Sequence, residues 1–426
     1  MGELKKLQEL FESVYLLKDP YVLKMLMAGV ISQRLPIDPV WFIIIAPSGG
    51  GKSEFINAIS TCEGVHSLST LTSQTFVSGM KLAGGKNASL LLNLNKDKSQ
   101  EGNGIIAFKD MTSLLSEHKE DRGVIMGQLR EIYDGKYAKT FGTGETVMWK
   151  GKLTIIAGAT YAIHTMKQAY TAMGERFLFY NMIQPDRIDA ARKAMENQES
   201  GHMKEYRTDI TDKTKEYIDT IVQIPEKLPL ITSELRDELL ILAELATRAR
   251  SDVEHNWRSP QQEITEVHPP EMPTRFASQL QAFARSLMII NWNEAGKADL
   301  TEDDRIILDK LALDSVTRSR RTAMQELAKY DIIETAGLAV KLGLPTTSVR
   351  RWLEDLTALE VAEREKGSSN KDRWKIKDHY KKIITKFEDI KFEGGELLEN
   401  NAETSEEELL QEAEEAKKDL EQMEIL

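Results

Sequence analysis

Residues Ala46 to Ser53 read A-P-S-G-G-G-K-S and follow directly on the apolar run Trp41-Phe42-Ile43-Ile44-Ile45. A buried strand that feeds a glycine-rich loop and ends in Lys-Ser at a helix start is the pattern of a nucleotide-phosphate cradle. Each residue type has a reason. Ser48, Gly49, Gly50 and Gly51 let backbone N–H groups wrap a β-phosphate, Lys52 reaches β/γ oxygens, and Ser53 offers a hydroxyl to Mg²⁺. The helix that must follow is marked by Phe55, Ile56 and Ile59. Ala46 stands where the motif usually has its first glycine. The expectation is an ATPase or a GTPase.

At 426 residues the chain is long enough for two or three domains. Its single cysteine, Cys62, excludes an internal disulfide framework and fits a reducing cytoplasm, the expected location. No apolar run reaches spanning length and no basic-plus-apolar leader is present, so neither membrane insertion nor export is expected. The seven histidines have no ligand spacing, which argues against zinc. The net charge of −12 is concentrated: from Glu393 to Leu426 thirteen acidic residues face only Lys417 and Lys418. The rest of the chain is therefore close to neutral and can carry local basic patches. The acidic tail reads as a solubilising segment or as one that docks a protein partner or mimics DNA.

Helical spacing of Leu4, Leu7, Phe11 and Val14, then an apolar segment from Tyr21 to Ile31, predicts a helical N-terminal segment over 1–35. Alternating strand and helix patterns over 36–184 argue for a parallel sheet between helices, an α/β core. Residues 185–330 read as an almost wholly helical lid and connector, 331–380 as a compact module, and 381–426 as the acidic tail.

A phosphate loop needs an acidic residue at a strand end to hold Mg²⁺. Gly104-Ile105-Ile106-Ala107-Phe108-Lys109-Asp110 supplies one: four apolar residues suit a buried strand, and Asp110 lies at its carboxyl end, where open α/β sheets bind ligands. Leu153 to Thr160 is a second such strand, with Thr160 placed to orient water or sense the γ-phosphate. Met173-Gly174-Glu175-Arg176-Phe177 then puts an arginine beside an apolar strand, which suits a finger completing a neighbouring subunit's site.

This order of parts resembles the AAA+ core of minichromosome-maintenance (MCM) helicases and their phage and mobile-element relatives, over roughly Pro36 to Leu327. Arg176 in E-R-F matches the arginine finger of the family's S-R-F. Arg275 in Pro273-Thr274-Arg275-Phe276, opening a helix with Leu280, Phe283 and Leu287, matches its sensor arginine. The resemblance implies ATP and Mg²⁺ as ligands and a hexameric ring acting on DNA. The family has Asp-Glu where this chain has Lys109-Asp110, so the residue that activates water stays open; Glu54 and Glu117 are candidates.

Lys136 to Phe141 and Thr146 to Lys150 read as two strands around a glycine-containing turn. The resemblance puts the DNA-gripping pore hairpin here, and Lys136, Lys139 and Lys150 are the residues expected to meet phosphates. In the C-terminal module, Thr335 to Leu342 predicts a helix with Ala339 and Leu342 inward. Gly343-Leu344-Pro345 is a turn, and Thr346 caps a second helix. A strand, a polar turn and another strand follow. The module resembles a winged helix, with Thr347, Ser348, Arg350 and Arg351 near the exposed start of a recognition helix. The expected activity is ATP-driven DNA translocation or unwinding for a phage or mobile element. Two other classes fit the same residues: a DNA-bound ATP switch such as a loader or regulator, and a defence-system ATPase without processive unwinding.

Overall fold

The computed structural model describes residues 2–78, 89–94, 102–115, 117–142, 144, 146–166, 176–256, 263–367 and 371–388. The acidic tail beyond 388, Thr143 and Glu145 of the hairpin turn, and Met173, Gly174 and Glu175 before Arg176 lie outside the described residues.

Five strands form one parallel sheet: β1 (Trp41–Ile45), β2 (Val65–Leu68), β3 (Gly104–Phe108) and, beyond a separate antiparallel hairpin of β4 (Lys136–Thr140) and β5 (Thr146–Lys150), β6 (Leu153–Ala159) and β7 (Phe177–Asn181). Their order is β2-β3-β6-β1-β7. Every residue of β1, β3 and β6 is buried, which is why these strands read as unbroken apolar runs: a parallel sheet is covered on both faces. Alternate residues serve opposite cores. Phe42 and Ile44 join the helices Val22–Ser32 and Thr274–Ala295, whereas Trp41, Ile43 and Ile45 join the helix Lys119–Tyr133 and Val147 and Trp149 of β5. Burial of each such large side chain stabilises by about 1.5–3 kcal/mol.

The edge strand β7 does not end in solvent. Its N–H groups at Phe179 and Asn181 donate to Ser315 Oγ (3.2 Å) and to the Asp314 carboxylate (2.8 Å), at the end of the helix Glu302–Asp314. Asp314 is itself held by the buried Lys310 at 2.6 Å. The N-terminal segment is tied in through the fully buried Asp19. That carboxylate accepts from Tyr180 Oη (2.8 Å), Ile183 N (2.9 Å) and the N–H groups of Tyr21 and Val22 that begin the second helix.

Residues 185–330 are mainly helical, with one short interruption. Between the helices Ser233–Ala249 and Thr274–Ala295 the chain forms a small antiparallel hairpin of β8 (Val253–His255) and β9 (Ile264–Val267), too short for a periodicity signal. In the C-terminal module, β10 (Ile333–Glu334) leads into the helices Thr335–Leu342 and Thr346–Ala358, then β11 (Ala362–Lys366) and β12 (Asp372–Ile376), in the sheet order β10-β12-β11. Leu338 and Ala339 face inward here, with Leu342 only partly buried. Thr346 does not cap: the helix starts after Pro345 with no side-chain cap. The last helix, Asp378–Glu388, crosses the boundary expected at 380 and buries Tyr380 and Ile384.

This module is docked rather than tethered. It shares one apolar core with Leu245, Leu313, Met324 and Leu327 of the preceding helices. At the seam, buried Asp355 accepts from Arg320 Nη2 (3.0 Å) and Nε (3.2 Å) and lies 2.8 Å from His255 Nε2. Among the described residues no helix is long and apolar enough to cross a membrane.

Candidate nucleotide site

The glycine loop leaves the carboxyl end of β1 and turns into the helix Lys52–Ala58. Gly49 and Gly51 have φ of 77° and 83°, a left-handed backbone that side chains oppose, and Gly50 N donates to Pro47 O at 3.0 Å. A Cβ at Gly50 would lie 2.6 Å from Gln184 Oε1 and 3.0 Å from the Pro47 carbonyl, so only glycine fits the turn. Ser48 and Ser53 are exposed beside it. Lys52 is buried to 7% exposure, with Nζ 3.3 Å from Pro47 O. Burial pushes its pKa below the usual lysine value, and the negative charge of Asp110 opposes that shift. A polyphosphate would fit this donor set: N–H groups in a concave turn, one desolvated cation, and a hydroxyl and a carboxylate for Mg²⁺.

Strand order brings the remaining groups in. Because β6 lies between β1 and β3, Asp110 after β3 and Thr160 after β6 emerge beside the loop. They are joined by Thr112, which closes the run Lys109-Asp110-Met111-Thr112 and to which the sequence pattern assigns no role. Thr112 N donates to Asp110 Oδ1 (3.0 Å), Thr112 Oγ1 accepts from Thr160 N (2.9 Å), and the two threonine hydroxyl oxygens are 3.3 Å apart. The available signal was a Thr two residues after an Asp at a strand end, the spacing of an Asx turn. Gly158 in β6 is the other missed residue. A Cβ there would sit 2.6 Å from Lys109 O and 3.4 Å from Lys52 Cδ, so only glycine lets these two elements approach.

Glu54 is occupied elsewhere. Arg207 grips its carboxylate through Nη2 (2.6 Å) and Nε (3.1 Å), and Tyr15 Oη donates at 2.9 Å, so it anchors the N-terminal segment and the helix Met203–Glu216 to the loop helix. Glu117 is exposed, beyond the short helix after Asp110.

Arg176 and Arg275 are not beside Lys52. Arg176 precedes β7, whose Phe177 pairs with Trp41 at the amino end of β1, while the glycine loop leaves the other end. Five residues at about 3.3 Å each separate the two ends by roughly 16 Å. The structure instead brings the two arginines to each other, over the ring of Tyr133, with guanidinium carbons 5.3 and 5.7 Å from its centroid. Arg176 is the deeper. Its side chain is 6% exposed and reaches Asp134 at 3.4 Å, while that of Arg275 is 33% exposed and lies 3.8 Å from Glu271. Burial first, and the charge of Arg275 second, push the Arg176 pKa below the arginine range.

In the β4–β5 hairpin, Lys136 and Lys150 are paired across the strands and exposed on one face with Met148. Lys139 is on the opposite, core-facing side, half-buried over Phe141 at 5.4 Å, because strand residues alternate and 139 is an odd number of steps from 136. It does not share the surface of the other two. In the C-terminal module Thr347 and Arg350 are exposed, and Ser348 and Arg351 are half-buried. Arg350 pairs with Glu354 at 2.9 Å. The β11–β12 hairpin is laced with ion pairs, including Arg364–Asp372 (2.6 Å), Lys366–Asp372 (2.8 Å) and Lys375–Glu363 (3.0 Å), so it presents balanced charge rather than a basic edge.

No protein-family model and no curated protein matches the sequence. Among solved structures, one described as "SCCmec type IV Cch - active helicase" aligns over 89% of this chain and 71% of its own, at 10% identity and a TM-score of 0.32. At that level of similarity neither fold nor activity carries over.

Proposed function

We propose that the chain is a divergent AAA+ ATPase of the MCM-like kind, which assembles with copies of itself into a ring and couples ATP turnover to movement of DNA. The observation that carries this reading is the meeting of Lys52, Asp110, Thr112 and Thr160 at the carboxyl edge of a parallel sheet ordered β2-β3-β6-β1-β7, with two arginines at the opposite edge. Lys52 would hold the terminal phosphates. Ser53 and Asp110 would hold Mg²⁺, which when bound supplies charge neutralisation of the β/γ oxygens. Thr112 fixes the Asp110 carboxylate and Thr160 with it, so the groups are aimed before ligand arrives. Arg176 and Arg275 are too far from their own loop to serve it, and fit a site completed by the next subunit.

DNA contact would fall to the exposed Lys136/Lys150 face of the β4–β5 hairpin, with the C-terminal module, which we read as a winged helix, adding initial binding through Thr347 and Arg350. The ion-paired β11–β12 hairpin favours a lesser DNA role for the wing.

The test is subunit mixing. Lys52→Ala and Arg275→Ala proteins are expected to be inactive alone and to recover ATP turnover together, since a mixed interface can pair an intact loop with an intact arginine edge. Wild-type turnover in Lys52→Ala removes the site assignment. Forked-duplex unwinding then separates a translocase from a switch, which hydrolyses ATP without displacing strand.

A further inference from the structure

Tyr133 ends the helix Lys119–Tyr133, followed by Asp134 and by Gly135 at φ 77°. Its ring is 7% exposed and set edge-on against Trp41, centroids 5.1 Å apart at 83°, so its orientation is fixed by the sheet itself. Two guanidiniums of like charge share this ring, although their mutual repulsion would favour separation. The electron-rich ring, with Asp134 on the Arg176 side and Glu271 on the Arg275 side, offsets that repulsion. The helix Thr274–Ala295 contributes twice, carrying Arg275 in its first turn and, one turn later, Gln279, whose Nε2 donates to Arg176 O at 2.7 Å. Beside the cluster a cavity of about 550 Å³ is lined by Tyr133, Asp134, Lys152, Thr274, Arg275 and Ser278.

We infer that Tyr133 is a positioning residue: its ring holds Arg176 and Arg275 as one clamp, with Arg275 presented at the subunit edge to the polyphosphate of a second copy and Arg176 fixing it from behind. This rests on the reading of the arginine edge as acting in trans. It also divides the labour in a way that the motif order does not, since burial makes Arg275 the outward member. A ring that only filled the core would be indifferent to its own electron density; a platform for cations is not.

The experiment follows from that difference. Full-length protein is prepared with Tyr133→Phe and with mono-, di- and trifluorinated phenylalanine at position 133, replacements of nearly constant volume that progressively remove the ring's negative face. Turnover is expected to be near wild type in Tyr133→Phe and to fall stepwise to about a tenth in the trifluoro protein. Nucleotide affinity of the subunit's own loop, measured with a fluorescent ATP analogue at protein concentrations low enough to keep the subunits apart, should stay constant because that loop lies at the other end of β1. Melting temperatures establish that each protein is folded. A flat fluorine series alongside an inactive Arg275→Ala overturns the role of Tyr133 alone. Wild-type turnover in both Arg275→Ala and Arg176→Ala sinks the trans reading beneath it.

Discussion

A methyl group at Gly158 probes the closest approach between two strands of the site. Built on the existing backbone, the Cβ of Gly158→Ala falls 2.6 Å from Lys109 O, 3.0 Å from Ile56 Cδ1 and 3.4 Å from Lys52 Cδ. The Ile56 methyl can rotate away, but the carbonyl belongs to the backbone that delivers Asp110, and Met111 N is anchored to Gly158 O at 2.7 Å. A carbon beside a carbonyl oxygen needs about 3.3 Å, so the exit of β3 must retreat by roughly 0.7 Å. Overpacking of this kind costs about 1–3 kcal/mol. With about 2.1 cal/mol/K of unfolding entropy per residue, a chain of this length should lose only about 1–3 °C in melting temperature. On the proposed function the larger effect falls on turnover, because displacing the Asp110 carboxylate by close to 1 Å costs up to about 10²-fold in rate. The assay is steady-state ATP turnover with a melting curve on the same sample. Gly123→Ala is the control: it lies at an exposed position of the helix Lys119–Tyr133 with nothing within 4 Å of its Cβ, and should be neutral or stabilising. Gly158→Ala with wild-type turnover and melting would refute the claim that β3 and β6 are pressed together to aim Asp110.

Three further outcomes are expected. Asp355→Ala leaves buried Arg320 without its carboxylate and should cost about 3–5 kcal/mol in denaturant unfolding, loosening the C-terminal module from the helices it is docked on; a cost below 1 kcal/mol would show that the apolar seam alone holds it. Replacing Lys136 and Lys150 together with alanine should reduce the slope of log affinity for duplex DNA against log salt by about 1.8, at about 0.9 per phosphate contact, whereas Lys139→Ala, on the other face, should leave the slope unchanged. Burial pulls the Lys152 pKa down to about 8 from 10.5, while its Nζ donates to the carbonyls of Ser32, Gln33 and Leu35 at the end of a helix. Below about pH 8 both folded and unfolded chains carry this proton. Between 8 and 10.5 only the unfolded chain keeps it, so stability relative to Lys152→Met should rise with pH across that window, checked by urea midpoints and by the NMR titration of Lys152 Cε.

The glycine loop's conformation, the two buried strands after it and the C-terminal helix pair were legible because local pattern and tertiary packing coincide there. An apolar run of five can only be a covered strand in β1, and glycines at 49 and 51 announce the left-handed backbone they adopt. Legibility failed where a side chain's role depends on what lies across space. Glu54 reads as a free acid beside Lys-Ser, yet Arg207, 153 residues away, takes it. Lys139 reads as a partner of Lys136, yet the two sit on opposite faces of one strand.

What the sequence determined by itself is the chemistry available: a glycine cradle with one lysine, a carboxylate at one strand end and a threonine at another, and arginines far along the chain. Local sterics and burial dictate those elements, and they need no knowledge of their neighbours. Only the tertiary structure decided which groups act together. The insertion of β6 between β1 and β3 gathers Lys52, Asp110, Thr112 and Thr160 at one edge. The pairing of Trp41 with Phe177 sends Arg176 to the other edge, where the helix Thr274–Ala295 delivers Arg275 to the same tyrosine. The physical reason is that strand order is set by long-range burial of two opposite sheet faces, a global packing problem that no local window of sequence contains.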